Sequence, residues 1–248
     1  MATNSTSRTL ALAAVGLMVT LAFSGSSTGS SSSTAATAAK TGVIAGIDDG
    51  SLVGSTAATA AKTCVIAGID YGPLVGLIGT WKSAPNGGVD TAPGQAGSTV
   101  GQGGTAVSPY YETITYTPAG GAVNASDQQL AALYYRQQVF AKSDNKQFHD
   151  QTGYLIYDKK AQKVYDSFCI PRGVCVVAEG APGTTMKLRT KSKGVAETQF
   201  MLKTDRTQAF NITFTLSGNT LKYKQTTDLQ VYGKPFSHTD TDTLKKLK

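Results

Sequence analysis

Beyond residue 109 the chain alternates between apolar and polar positions. Tyr110–Thr117 (YYETITYT), Leu130–Phe140 (LAALYYRQQVF) and Phe148–Tyr157 (FHDQTGYLIY) carry the period of two that one buried face of a strand requires. Lys163–Phe168, Val174–Glu179, Val195–Lys203, Ala209–Leu216 and Thr220–Val231 continue it. Gly120-Gly121, Asp158-Lys159-Lys160, Pro171-Arg172-Gly173 and Ser217-Gly218-Asn219 supply turns between these segments. The helical period is missing, apart from room for a short turn near Ser126–Ala132. The expectation is an all-β, antiparallel meander of eight or more strands. Closing it into an up-and-down barrel would remove both exposed edges. A barrel of that size can enclose one small ligand.

Two stretches break the rhythm. Residues 87–107 are Gly-rich, with Asp90 their only charge, and read as a long loop. Such a loop either covers a barrel mouth or is an insertion. The N-terminal region is different again. Arg8 precedes the uncharged apolar run Leu10–Phe23, which ends in Ser24-Gly25-Ser26. The run is short for a bilayer span, which needs about 20 residues, and fits the core of a secretory signal peptide over 1–24. The alternative is an uncleaved anchor. With the signal removed no membrane span is expected, and the protein would be exported, periplasmic or secreted. Residues 25–72 read as a low-complexity linker containing a tandem duplication. STAATAAKTGVIAGIDDGSLVG (33–54) and STAATAAKTCVIAGIDYGPLVG (55–76) agree at 19 of 22 positions. Two copies are too few for a solenoid. The barrel domain is placed at 73–248.

Composition narrows the function classes. The net charge is +7, but the 23 basic residues are scattered with no run longer than two. A solvated basic surface explains this, and no nucleic-acid partner is expected. There are 2 His and 3 Cys, so a self-contained zinc site of the usual Cys/His kind is not expected. No H-E-x-x-H or Walker-type loop is present. Cys169 and Cys175 flank a turn and could face each other across a hairpin. They are either a disulfide or two buried thiols. His149 shares an alternating face with Gln151 and Gly153, and His238 shares one with Asp240. Either histidine could equally be an ordinary surface or core residue.

In sequence order, several motifs resemble the nitrobindin-like (THAP4-like) haem-binding β-barrel family, relatives of the fatty-acid-binding and lipocalin-like barrels. Leu77-Ile78-Gly79-Thr80-Trp81 resembles its opening L-x-G-T-W, and Tyr110-Tyr111-Glu112 its next strand. His149-Asp150-Gln151-Thr152-Gly153-Tyr154 is similar to H-x-E-[ST]-G-Y, and Val177-Ala178-Glu179-Gly180 to V-E-x-G. Thr226-Thr227, Pro235, His238 and Leu244-Lys245-Lys246-Leu247 are similar to the family's tail. The resemblance implies a barrel of about ten strands binding ferric b-type haem. It implies His238 as the iron ligand, His149 as a pocket residue, and Thr80 and Trp81 as cofactor contacts. Asp240 is a candidate to orient His238, and Arg172 or Lys234 to meet the propionates. The family's short loop beside the haem is replaced by the Gly-rich stretch 86–107, and Thr239 stands where a Leu usually follows the histidine.

Three functions then compete. One is a haem protein that binds nitric oxide or isomerises peroxynitrite to nitrate. Another is a non-enzymatic carrier of an apolar small molecule. The third is an interaction module on a tether.

Overall fold

The computed structural model describes residues 64–247. The expected signal peptide, the first repeat copy and the start of the second lie outside them. A small hairpin, β1 (Val65–Ile66) and β2 (Ile69–Asp70), leads into a short 3-10 helix at Gly72–Gly76. The rest is one antiparallel ring. Its strands are β3 (Gly79–Ser83), β4 (Gly88–Pro93), β5 (Thr105–Asn124), β6 (Gln128–Ala141), β7 (Gln147–Asp158), β8 (Lys163–Ile170) and β9 (Val174–Gly180). They continue as β10 (Thr185–Glu197), β11 (Asp205–Ser217), β12 (Thr220–Val231) and β13 (Lys234–Lys246). Neighbours in sequence pair from β5 through β13, and β13 closes the ring onto β3 and β4. Both β3 and β4 also pair with β5. They therefore fill one position as an interrupted strand, which gives about ten positions around the ring.

The closed sheet follows from the alternation. On β6, Ala131, Leu133, Tyr135, Gln137 and Val139 are buried while Tyr134 and Arg136 between them are exposed. Ala131, Leu133 and Tyr135 form one core with Trp81, Leu155, Val164, Phe168, Met186, Leu188, Phe214, Leu221 and Leu244. At one end the ring is filled. Tyr71, Leu74 and Leu77 from the N-terminal segment are at most 1% exposed, and the Tyr157 ring occupies the space a Cβ on Gly72 would need. The opposite end, the mouth, carries the β6–β7, β8–β9 and β12–β13 turns and the β10–β11 connection, from which Met201 reaches into the core.

The structure corrects four local readings. Residues 87–107 are not one loop, because β4 and the start of β5 lie within them. Glycine hides their alternation, and the remaining turn is closed by Gly94 N–H to Gly104 O at 2.7 Å. Val195–Lys203 is a strand only over its first three residues. β10 ends at Glu197, and a helix, α1 (Gln199–Thr204), follows. Thr198 caps it, its hydroxyl accepting from Met201 N–H. Gly120-Gly121 is not a turn but follows a bulge inside β5, where the register shifts between Pro118 and Gly120. Ser126–Ala132 holds no helical turn, since the β5–β6 hairpin turns at Ala125 and Ser126, both at positive φ, and β6 begins at Gln128. Among the described residues no helix is long and apolar enough to cross a membrane.

Cys169 and Cys175 face each other in register on β8 and β9, joined by a disulfide with Cα atoms 4.1 Å apart. Cys169 is exposed and Cys175 half-buried, so the buried-thiol alternative does not hold. The bond closes a very short loop, so its entropic contribution is about 2 kcal/mol. The double variant Cys169→Ser/Cys175→Ser should lower the urea midpoint by a corresponding amount and keep the β-sheet circular dichroism. An unchanged midpoint would show that the hairpin needs no staple.

Candidate functional site

The site is assembled by β13. Its inward positions are Phe236, His238, Asp240, Asp242 and Leu244, each facing an inward residue of β12: Leu229, Thr227, Gln225, Tyr223 and Leu221. The His238 side chain is 23% exposed, which places it at the mouth rather than in the packed core. Its Nε2 lies 2.6 Å from Asp90 Oδ1 and 3.5 Å from Asp240 Oδ2. Asp90, on β4, sits directly opposite Asp240 in the β4–β13 register. Gln225 Nε2 donates to Asp240 Oδ2 at 2.7 Å and fixes that carboxylate. Burial pulls the His238 imidazolium below its ordinary range. The Asp90 hydrogen bond and the charges of Asp240 and Asp90 more than offset this, and the net shift is upward. Asp240 is pushed up to about 6, chiefly by burial.

His149 is the second inward imidazole, on β7 opposite Val139. Its Nε2 lies 3.4 Å from Gln151 Oε1. Gln151 Nε2 donates to Tyr135 Oη at 2.7 Å, and Tyr135 Oη donates to Asp166 Oδ1 at 2.8 Å. A polar chain thus runs from the mouth into the core. Burial lowers the His149 pKa, with further lowering from His238 and Arg172. The neutral ring can donate Nε2–H to Gln151, which leaves Nδ1 as an acceptor. Arg172 is exposed on the β8–β9 turn at the mouth end, and its charge lowers the pKa of both histidines.

Burial pushes Asp166 up to about 7 despite the Tyr135 hydrogen bond. In the unfolded chain an aspartate titrates near about 3.9. The folded state therefore holds a proton there that the unfolded state has lost. This contribution to stability is complete below about pH 4 and is lost as pH rises through about 7. Asp166→Asn should flatten the fall in Tm between about pH 5 and pH 8, because the introduced amide carries no titrating proton and its oxygen can still accept from Tyr135. An equally steep fall in the variant would assign the pH dependence to other groups.

Below the two histidines lies a second polar group. Glu112 is 1% exposed and accepts from Gln137 Nε2, while its Oε1 has no hydrogen-bond partner. Burial and then the neighbouring Asp242 carboxyl hold its pKa well above the ordinary carboxylate range. Ser83 Oγ donates to Asp242 Oδ2 at 2.5 Å and accepts from Glu112 N–H. The Tyr110 and Tyr223 hydroxyls meet at 2.6 Å.

The residues singled out from the sequence are not all together. His238, His149, Arg172 and Asp240 share the mouth end, with Lys234 exposed at the start of β13. Trp81 and Thr80 do not belong there. Trp81 pairs with Lys246, eight residues along β13 from His238, or about 26 Å at the rise of a strand. It is fully buried in the core, and its Nε1–H donates to Leu77 O at 2.6 Å. Thr80 points outward, its hydroxyl 3.0 Å from that of Thr115. Asp240 also differs from its expected part, because it approaches Nε2, the nitrogen that Asp90 already holds, rather than the other ring nitrogen. The residue that sequence reasoning missed is Asp90. Its signal was that it is the lone charge in an otherwise uncharged stretch.

These residues can be set against what a haem requires. One axial bond needs an inward imidazole, and His238 meets this in residue type and orientation. Val174, Val176, Phe210 and Leu229 give the mouth half an apolar side, and Asp90, Asp240, Gln225 and Gln151 a polar one. An apolar macrocycle with a polar edge fits that division. Ligation through Nε2 requires the Asp90 hydrogen bond to open.

Residues 70–246 match the model of a family described as a THAP4-like, heme-binding beta-barrel domain. Among solved structures the chain is similar to Rv2717c from M. tuberculosis, with 18% identity and a TM-score of 0.50 over 71% of this chain and 95% of that one. At that identity the likeness concerns the fold. No curated protein matches the sequence.

Proposed function

We propose a function from one premise: this chain belongs to the THAP4-like haem-binding β-barrel family. Its role would be to bind one haem at the mouth, held through the His238 imidazole. The observation that carries this reading is that His238 projects inward from β13 at the mouth, backed by the second inward imidazole, His149. We take the haem to be ferric and b-type, held without covalent attachment. When bound it supplies an iron centre with one position open to a diatomic ligand such as nitric oxide, or to peroxynitrite for isomerisation to nitrate.

The chain's own residues then have separate tasks. His238 Nε2 provides the donor once Asp90 releases it. His149, kept neutral by burial, holds its ring through Gln151 on the other side of the mouth. Arg172 and Lys234 offer cationic heads at the rim for the haem carboxylates. The apolar side excludes water from the macrocycle. Export through the N-terminal segment is part of the reading, and an oxidising compartment suits the Cys169–Cys175 bond.

Titrating the haem-free full chain with ferric haem tests this. A Soret band that saturates at one haem per chain and shifts on adding nitric oxide is the expected result. A titration that gives only the spectrum of unbound haem would remove the reading, leaving an apolar carrier in its place. The peroxynitrite arm is read separately, as faster decay with nitrate as product.

A further inference from the structure

Asp90, His238 and Asp240 each bring one ligand atom to a common point, and all three atoms lie within 4.8 Å of one another. One is an imidazole nitrogen and two are carboxylate oxygens. All three come from strands, and two of the residues face each other directly across the β4–β13 ladder. Like charges placed opposite in a sheet repel unless a cation lies between them. Gln225 already holds one carboxylate through Asp240 Oδ2, the oxygen nearest His238 Nε2, as a hydrogen-bonded partner does for a ligating carboxylate.

A second observation concerns the ring interior around that cluster. The ring interior is rich in carboxyls and poor in cations. Asp90, Glu112, Asp166 and Asp242 are buried, while among the described residues no lysine or arginine is. Glu112 Oε1, on the same polar wall, is buried with no hydrogen-bond partner. Buried carboxylates are normally paired or bound to metal.

We propose that Asp90, His238 and Asp240 form a three-ligand site for a divalent first-row transition cation in the haem-free protein. The imidazole favours Zn2+ or Co2+ over Mg2+ and Ca2+, which take oxygen-only sets. Three protein ligands leave a fourth position for water. The proposal does not rest on the haem reading, although both call on His238 Nε2.

The experiment is calorimetric titration of the haem-free full chain with Zn2+ alone, repeated with Co2+ to follow its visible spectrum. One Zn2+ per chain is expected, with a Co2+ spectrum of low coordination number. Asp90→Asn and Asp240→Asn should each weaken binding at least tenfold, and His238→Ala should abolish the one-to-one event. Gln225→Leu should weaken it roughly tenfold or more, as loss of an outer-shell partner does. Wild type that binds no Zn2+, or variants that bind it as wild type does, would overturn the proposal. Haem titrations of the same preparations keep the two readings apart. Zn2+ uptake without haem uptake removes the haem reading alone, and haem uptake without Zn2+ uptake removes this one alone.

Discussion

His238→Ala should lose the saturable Soret band that the full chain gives with ferric haem. Two histidines exist in the chain, and both project inward at the mouth. Only His238 has its Nε2 at the meeting point of β4 and β13. One imidazole suffices for an axial bond when the other position stays open. His149→Ala should therefore retain one haem per chain with a shifted spectrum, because it removes a pocket wall and not the bond. The His238 variant should keep its fold. Its side chain is part-exposed and lies outside the packed core, although Asp90 and Asp240 would then face each other without a cation. Circular dichroism separates a lost ligand from a lost fold. A folded His238→Ala protein with an unaltered Soret band would end the assignment.

Trp81→Ala should be the most damaging core change, costing about 3–5 kcal/mol. Trp81 is fully buried, and the Lys246 ammonium lies 5.3 Å from its ring centroid. Truncation opens a cavity where β3, β13 and the N-terminal segment meet. It also orphans the Leu77 carbonyl, which now accepts from the indole. Trp81→Phe should cost less, losing mainly that hydrogen bond, about 1 kcal/mol. Because Trp81 lies at the end away from His238, the Phe variant should bind haem with an unchanged spectrum. A changed Soret position would restore it as a cofactor contact. Urea midpoints at constant slope provide the stability readout.

The alternation of β5 to β9, β11 and β12 is legible in the sequence because each buries one face, and period two survives when Tyr and Val mark it. β4 is not legible. Its inward Gly88 is small because the Tyr110 ring fills the space a side chain would need. The strand thus hides as a glycine-rich loop, and with it Asp90, the partner of His238. α1 escapes the pattern because Phe200 and Leu202 are exposed, so its apolar residues carry no core-facing period. The start of β10 is equally hidden, since Met186 and Leu188 are its two fully buried residues and the rest alternate weakly. Spacing alone places His238 and Asp240 on one face, and they do share it. Which ring nitrogen Asp240 meets is beyond the sequence, since that depends on how the ring is turned, and Asp90 from β4 holds it.

The filled end of the ring limits traffic. Tyr71, Leu74 and Leu77 close the interior from that side, so a haem held by His238 would have to enter and leave by the opposite end. Such a vessel cannot pass cargo through itself. A guest of the proposed kind would exchange through a single door. A protein of this shape is suited to keeping one guest, and any reactant must come to the guest through the entrance by which the guest arrived.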